Sequence, residues 1–222
     1  MLFFIPTHQC KLLVSRGLMF IALSLSMNFA YSAAKTVLVL GDSLSAEYGL
    51  ARGQGWVSLL EKKIIEENLA VTVVNASISG ETTSGGRSRL PALLKRLNPD
   101  IVIIELGGND ALRGLALNAS EDNFRTMITS IKQSQAAVLL VGMQIPPNYG
   151  KDYTERFFSI YGKLAQEQKI SLVPFLLEGI AERSELFQAD RIHPLATAHP
   201  VMLANVWKPL LPLLKKTKQA SQ

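Results

Sequence analysis

Thr36-Val37-Leu38-Val39-Leu40-Gly41-Asp42-Ser43-Leu44-Ser45 decides the fold of this chain. An apolar, partly β-branched run bounded by a glycine reads as a buried strand. A serine just past such a strand, at a glycine-marked turn, stands where open α/β sheets present chemistry, because ligands bind beyond the carboxyl ends of their strands. Far downstream, Asp190-Arg191-Ile192-His193-Pro194 holds an acid and a histidine three residues apart. An acid and a histidine so placed supply and orient a base. Together the two stretches imply that a hydroxyl nucleophile works at the edge of a sheet.

The same pattern extends outward from the first stretch. Further strands are predicted over 71–75, 101–106, 137–143 and 171–175, beside the first over 36–40. Amphipathic segments separate them. Trp56, Leu59, Leu60 and Ile64 recur at helical spacing, as do Leu90, Leu93, Leu94 and Leu97, which Asn98-Pro99 closes. Ser120 reads as the N-cap of a helix carrying Phe124, Met127, Ile128 and Ile131. A helix over 152–168 turns Phe157, Ile160 and Leu164 inward, and a last one runs over 194–207, with Pro209 and Pro212 expected to break or kink its end. Strands alternating with helices argue for an α/β domain with a parallel sheet. With no repeat, low-complexity block or linker, residues 35–222 read as one domain.

Residues 1–34 are of another kind. They lack Asp and Glu, carry Lys11 and Arg16, then an apolar stretch over 18–25, then small residues around Ala30, Ser32, Ala33 and Ala34. That is the layout of a secretory signal peptide, with cleavage expected near Ser32 to Ala34. The apolar stretch is short of the roughly 20 residues that a bilayer span needs, so no membrane span is expected after processing. Cleavage removes Cys10, the sole cysteine, which excludes an internal disulfide, a thiolate nucleophile and a zinc–thiolate site in what remains. It also lowers the formal charge of +5 by two, to +3. The basic tail around Lys215, Lys216 and Lys218 has no interleaved aromatic residues and reads as a solvated terminus, so no nucleic-acid partner is expected.

A serine hydroxyl is a weak nucleophile at neutral pH and needs an adjacent base. Beyond the leader the histidines are His193 and His199. His193 has the better context: Asp190 accepts from Nδ1, leaving Nε2 free to face Ser43. His199, inside the expected last helix, reads as structural. Acyl transfer also needs donors aimed at a developing oxyanion. Candidates are the N–H of Ser43, the N–H of Gly80, where no side chain blocks close approach, and the side-chain amide of Asn109. Glycine and asparagine also populate ordinary turns, so neither is decisive alone.

Gly41-Asp42-Ser43-Leu44-Ser45, Asn75-Ala76-Ser77-Ile78-Ser79-Gly80, Gly107-Gly108-Asn109-Asp110 and Asp190-x-x-His193-Pro194 resemble, in order, the four blocks of the GDSL (SGNH) hydrolases. Similarity runs over nearly all of the chain beyond the leader, and it is greatest to a bacterial periplasmic branch of acyl-CoA thioesterases, lysophospholipases and arylesterases. The resemblance implies a flavodoxin-like three-layer α/β/α fold with a five-stranded parallel sheet in the order 2-1-3-4-5. It implies Ser43, Gly80, Asn109 and His193 as the residues that name the family, Asp190 as the acid behind His193, and no metal or organic cofactor. Asp42 then supports the turn rather than serving as that acid, and Glu105 and Asp110 are structural.

The substrates so implied are fatty-acyl esters or thioesters, with a carbohydrate acetyl esterase or a non-catalytic lipid carrier as alternatives. A monomer in the periplasm is expected. Leu112, Ile145, Pro146 and Tyr149 are candidates for the acyl-pocket wall, and Arg113 lies in a loop similar to one that shapes it. Two departures stand out. Glu47 occupies a position commonly glycine, where a carboxylate acts on His193 or on anionic substrates, or is simply exposed. The loop from Gln144 to Pro147 is one residue short.

Overall fold

The computed structural model describes residues 34–216. The expected leader, residues 1–34, therefore lies outside the described residues except for Ala34. Five strands form one sheet: β1 (Lys35–Gly41), β2 (Val71–Asn75), β3 (Ile101–Glu105), β4 (Ala137–Val141) and β5 (Ser171–Val173). Their order is β2-β1-β3-β4-β5, every pair parallel. All five residues of β3 are buried, as are Val37 to Gly41 of β1. A strand covered on both faces has no use for alternating polarity, which is why these stretches read as continuous apolar runs.

Among the described residues, six helices cover the sheet: α1 (Trp56–Glu66), α2 (Thr83–Leu97), α3 (Gly108–Leu112), α4 (Leu117–Gln133), α5 (Lys151–Gln168) and α6 (His199–Lys215). From β1 the chain first moves outward to β2, then returns past β1 to β3 and continues the other way. Because parallel crossovers are right-handed, that reversal puts helices on opposite faces. Thus α1 packs with α6, and α4 lies between α2 and α5. Trp56, Phe124, Phe157 and Tyr161 are wholly buried between helices and sheet, each side chain of that kind being worth a few kcal/mol of transfer free energy, on the order of 1.5–3. The reversal also opens a crevice between the carboxyl ends of β1 and β3.

Several boundaries differ from the sequence reading. Strands expected over 137–143 and 171–175 end at Val141 and Val173. Pairing continues irregularly, through Gly142 N–H to Val173 O (2.8 Å) and Leu176 N–H to Gly142 O (2.9 Å), around Pro174, which has no N–H to offer. Ser120 is no N-cap. It lies one turn inside α4, buried, and its hydroxyl donates to Asp110 Oδ1 at 2.9 Å. The last helix begins at His199 rather than Pro194, because Pro194 forms an antiparallel bridge with Phe187 and Leu195 N–H bonds Leu186 O. Pro209 and Pro212 do not break it. Met202, Val206, Leu210 and Leu214 form one buried stripe along its length, and that burial outweighs the two lost backbone bonds.

Candidate active site

Ser43 sits in the first turn beyond β1, half-buried. The turn is held by its own backbone, with Ser45 and Ala46 N–H both donating to Asp42 O, and by Leu44 N–H donating to Asp42 Oδ1 at 3.0 Å. Register places Glu105 of β3 directly beside Gly41. Its Oε2 accepts from the Ser45 hydroxyl (2.7 Å) and from Asp42 N–H (3.3 Å). Both carboxyls are buried. Burial pushes Asp42 up to about 6 in spite of the Leu44 N–H, His193 and the Asn109 amide. Burial, reinforced by the charge of Asp42, drives Glu105 well above the usual carboxylate range. The nucleophile loop thus rests on a carboxyl pair that favours holding a proton.

His193 crosses to this loop from the segment before α6. Its Nε2 is 2.8 Å from Ser43 Oγ and its Nδ1 is 2.7 Å from Asp190 Oδ2. An ionised carboxylate only accepts, so Nδ1 carries the hydrogen and Nε2 accepts from the serine hydroxyl. Burial would raise Asp190, but the N–H groups of His193 (3.0 Å) and Ile192 (2.9 Å) and the imidazole outweigh it and hold the carboxyl near 2. Asp190 is therefore ionised at neutral pH.

Asn109 opens α3, beyond β3. Its amide nitrogen donates to Asp42 Oδ2 and to Glu81 O, both at 3.0 Å. The Asp42 carboxylate thus bridges the nucleophile turn and this amide. Gly80 has φ +79, a conformation strained for any side chain, and Arg113 donates to its carbonyl at 3.0 Å. Asp110 accepts from the N–H and hydroxyl of Thr83 and from Ser120, tying α3 to α2 and α4.

A cavity of about 830 Å³ opens beside Ser43, Asn109 and His193. Leu112, Ile145 and Pro146 line it. Gly80 and Tyr149 are not among its lining residues; the Tyr149 hydroxyl bonds Leu112 O at 3.3 Å. The sequence reading missed the opposite wall, Phe175, Leu177, Ile180, Phe187 and Ile192. Its signal was present in Phe175-Leu176-Leu177, an apolar run just after the last strand, the same position that marked the other loops.

Glu47 does not pair with His193. Its carboxylate accepts from Gly53 N–H, Gly55 N–H (2.8 Å) and the Ser58 hydroxyl (2.9 Å), and these bonds outweigh burial and lower its pKa. His199 is buried at the head of α6, where its Nδ1 accepts from Trp56 N–H at 3.0 Å and burial lowers its pKa.

An open parallel sheet with serine, histidine and aspartate in relay beyond its strand ends is the arrangement of a serine hydrolase. The chain belongs to the GDSL-like lipase/acylhydrolase family, whose sequence model matches residues 39–200. Esterase TesA of Pseudomonas aeruginosa is 51% identical over 183 residues, spanning 82% of this chain and 91% of that protein. Thioesterase 1/protease 1/lysophospholipase L1 of Escherichia coli K12 is 42% identical over 188 residues, 85% of this chain and 89% of that one. The crystal structure of TesA superposes with a TM-score of 0.79 at 50% identity, covering 81% of this chain and 99% of the other. The flavodoxin-like strand order and ester hydrolase activity are thereby established.

Proposed function

We propose that this esterase hydrolyses fatty-acyl esters and thioesters through an acyl-enzyme on Ser43. His193 Nε2 takes the Ser43 proton as Oγ attacks the acyl carbonyl carbon. The carbonyl π pair moves to oxygen, and the tetrahedral oxyanion is held by the N–H groups of Ser43 and Gly80 and by the Asn109 amide, one hydrogen of which leaves Glu81 O for it. Collapse expels the alcohol or thiol, which takes the proton back from His193. Water then attacks the acyl carbon, giving its proton to His193, and the second collapse releases the acid and restores the Ser43 hydroxyl. Asp190 stabilises the imidazolium in both halves.

The reading is carried by the relay of 2.8 and 2.7 Å between Ser43, His193 and Asp190. The acyl class is supported by the apolar wall of the cavity, since lipid chains need an apolar surface with few polar anchors. It is also supported by relatives named for thioesterase and lysophospholipase activity. Export to the periplasm is proposed from the charge, apolar run and small residues of the first 34 positions.

The test is a rate series over acyl chains from acetyl to palmitoyl, each as an aryl ester and as a CoA thioester, with lysophosphatidylcholine and acetylated xylan alongside. Rates that rise with chain length on either leaving group support the proposal. Turnover confined to acetyl groups, with deacetylation of xylan, contradicts it.

A further inference from the structure

We propose that Tyr48 is a positioning residue for the reaction: its ring caps the His193 imidazole and favours the positive charge that imidazole acquires on taking the Ser43 proton. The inference rests on the reading of His193 as the base. The two ring centroids are 4.3 Å apart, with their planes inclined by 38°. Tyr48 is 50% exposed, whereas the His193 side chain is 17% exposed. A large aromatic residue is therefore kept at the surface, over the imidazole that hydrogen-bonds Ser43.

The backbone around it is built to hold that contact. Glu47, immediately before Tyr48, has φ +58, the left-handed region that disfavours residues with side chains. Its carboxylate offsets the strain by accepting from Gly53 and Gly55 N–H and from the Ser58 hydroxyl. On the other side, Gln188 Nε2 donates to Tyr48 O at 2.9 Å and to Pro194 O at 3.3 Å. The N–H of the same glutamine donates to His193 O at 2.8 Å. One residue thus ties the segment carrying the tyrosine to the segment carrying the histidine, although Tyr48 and Gln188 are 140 positions apart. The two segments are thereby tied to each other by their backbones, which sets the points from which the two rings meet.

The face of an aromatic ring attracts a cation held within about 6 Å of its centroid. The imidazole is neutral before the proton moves and charged afterwards. The attraction therefore strengthens toward the transition state, and an interaction of that kind raises kcat without tightening substrate binding. The same ring limits the freedom of the imidazole to turn away from Ser43.

The test compares Tyr48→Phe and Tyr48→Trp, which keep an aromatic face, with Tyr48→Leu, which keeps apolar bulk and loses the face. Tyr48→Gln serves if the leucine variant does not fold, which thermal melting shows. With p-nitrophenyl butyrate, Tyr48→Leu is expected to lose about tenfold in kcat, equivalent to about 1.4 kcal/mol, with KM unchanged. The Phe and Trp variants are expected to retain most of the rate. A wild-type kcat in Tyr48→Leu overturns the inference, as does an equal loss in Tyr48→Phe or an effect confined to KM. Capture of wild-type Ser43 by a fluorophosphonate separates the two readings. Without capture the serine mechanism fails; with capture and an unaffected Tyr48→Leu, the ring contact alone does.

Discussion

Asp42 and Asn109 meet beneath the nucleophile turn, with Asp42 Oδ2 accepting from Asn109 Nδ2 at 3.0 Å. The acid next to the serine is therefore engaged with Asn109, while the acid that bonds His193 is Asp190. The amide proposed to receive the oxyanion is thus aimed by a side chain that follows the adjacent strand, since β1 and β3 lie side by side.

Removing the amide tests that arrangement. Asn109→Ala is expected to lower kcat by about 100-fold or more, the usual effect of one lost oxyanion donor. Asp42→Ala leaves the amide bonded to Glu81 O alone, so its loss should be smaller, with melting temperature reported alongside. Steady-state kinetics on one aryl ester check both. Wild-type kcat in Asn109→Ala contradicts the assigned donor.

The buried carboxyl pair predicts a pH dependence of stability. Asp42 titrates near 6 in the fold against 3.8 as an ordinary carboxyl, so folding favours its protonated form. That contribution is whole below about pH 4 and is lost as pH rises through about 6. Glu105 is shifted in the same direction. Asp190 has the opposite sign, its contribution being lost only as pH falls toward 2, and its 38% exposed side chain leaves it well screened. Melting temperature should therefore fall between pH 4 and 7 more steeply in wild type than in Glu105→Gln. Parallel curves for the two proteins would show that the pair does not titrate.

Gly107→Ala should destabilise the fold. Gly107 has φ +101, and an added Cβ would stand 2.5 Å from the Tyr161 hydroxyl, which is buried and bonds Leu106 O. Strain plus overpacking should cost about 2 kcal/mol, a drop of roughly 5 °C in melting temperature for a domain of this size. A melting temperature equal to wild type contradicts the crowding.

Leu112→Trp narrows the cavity at a half-buried wall position. The expected outcome is at least a tenfold fall in kcat/KM for decanoyl relative to acetyl esters, read from p-nitrophenyl ester rates. An unchanged ratio places the acyl chain along another wall.

The strands and the Ser43 turn were legible because they depend on local chemistry. The buried runs of β1 and β3 cannot be anything but covered strands, and Gly41 with Ser43 marks the turn that follows. The contact between His193 and Asp190 was legible because they are three residues apart. What escaped depends on contacts between distant segments. Ser120 looked like a cap because serines cap helices, yet its hydroxyl is taken by Asp110. Pro194 looked like a helix start, but pairing with Phe187 holds it extended. The wall from Phe175 to Ile192 follows no period, and only the apolar run Phe175-Leu176-Leu177 after the last strand hints at it in the sequence. Nothing local in the sequence turns Glu47 away from His193, yet the turn over 53–58 claims its carboxylate.

The most direct measurement is intact-mass and peptide analysis after treatment with a fluorophosphonate, on wild type and Ser43→Ala, with ester turnover followed in parallel. The account predicts a single phosphonyl adduct on the Ser43 peptide, stoichiometric with lost activity, and neither adduct nor turnover in Ser43→Ala. An adduct on another residue, or undiminished turnover by Ser43→Ala, contradicts it.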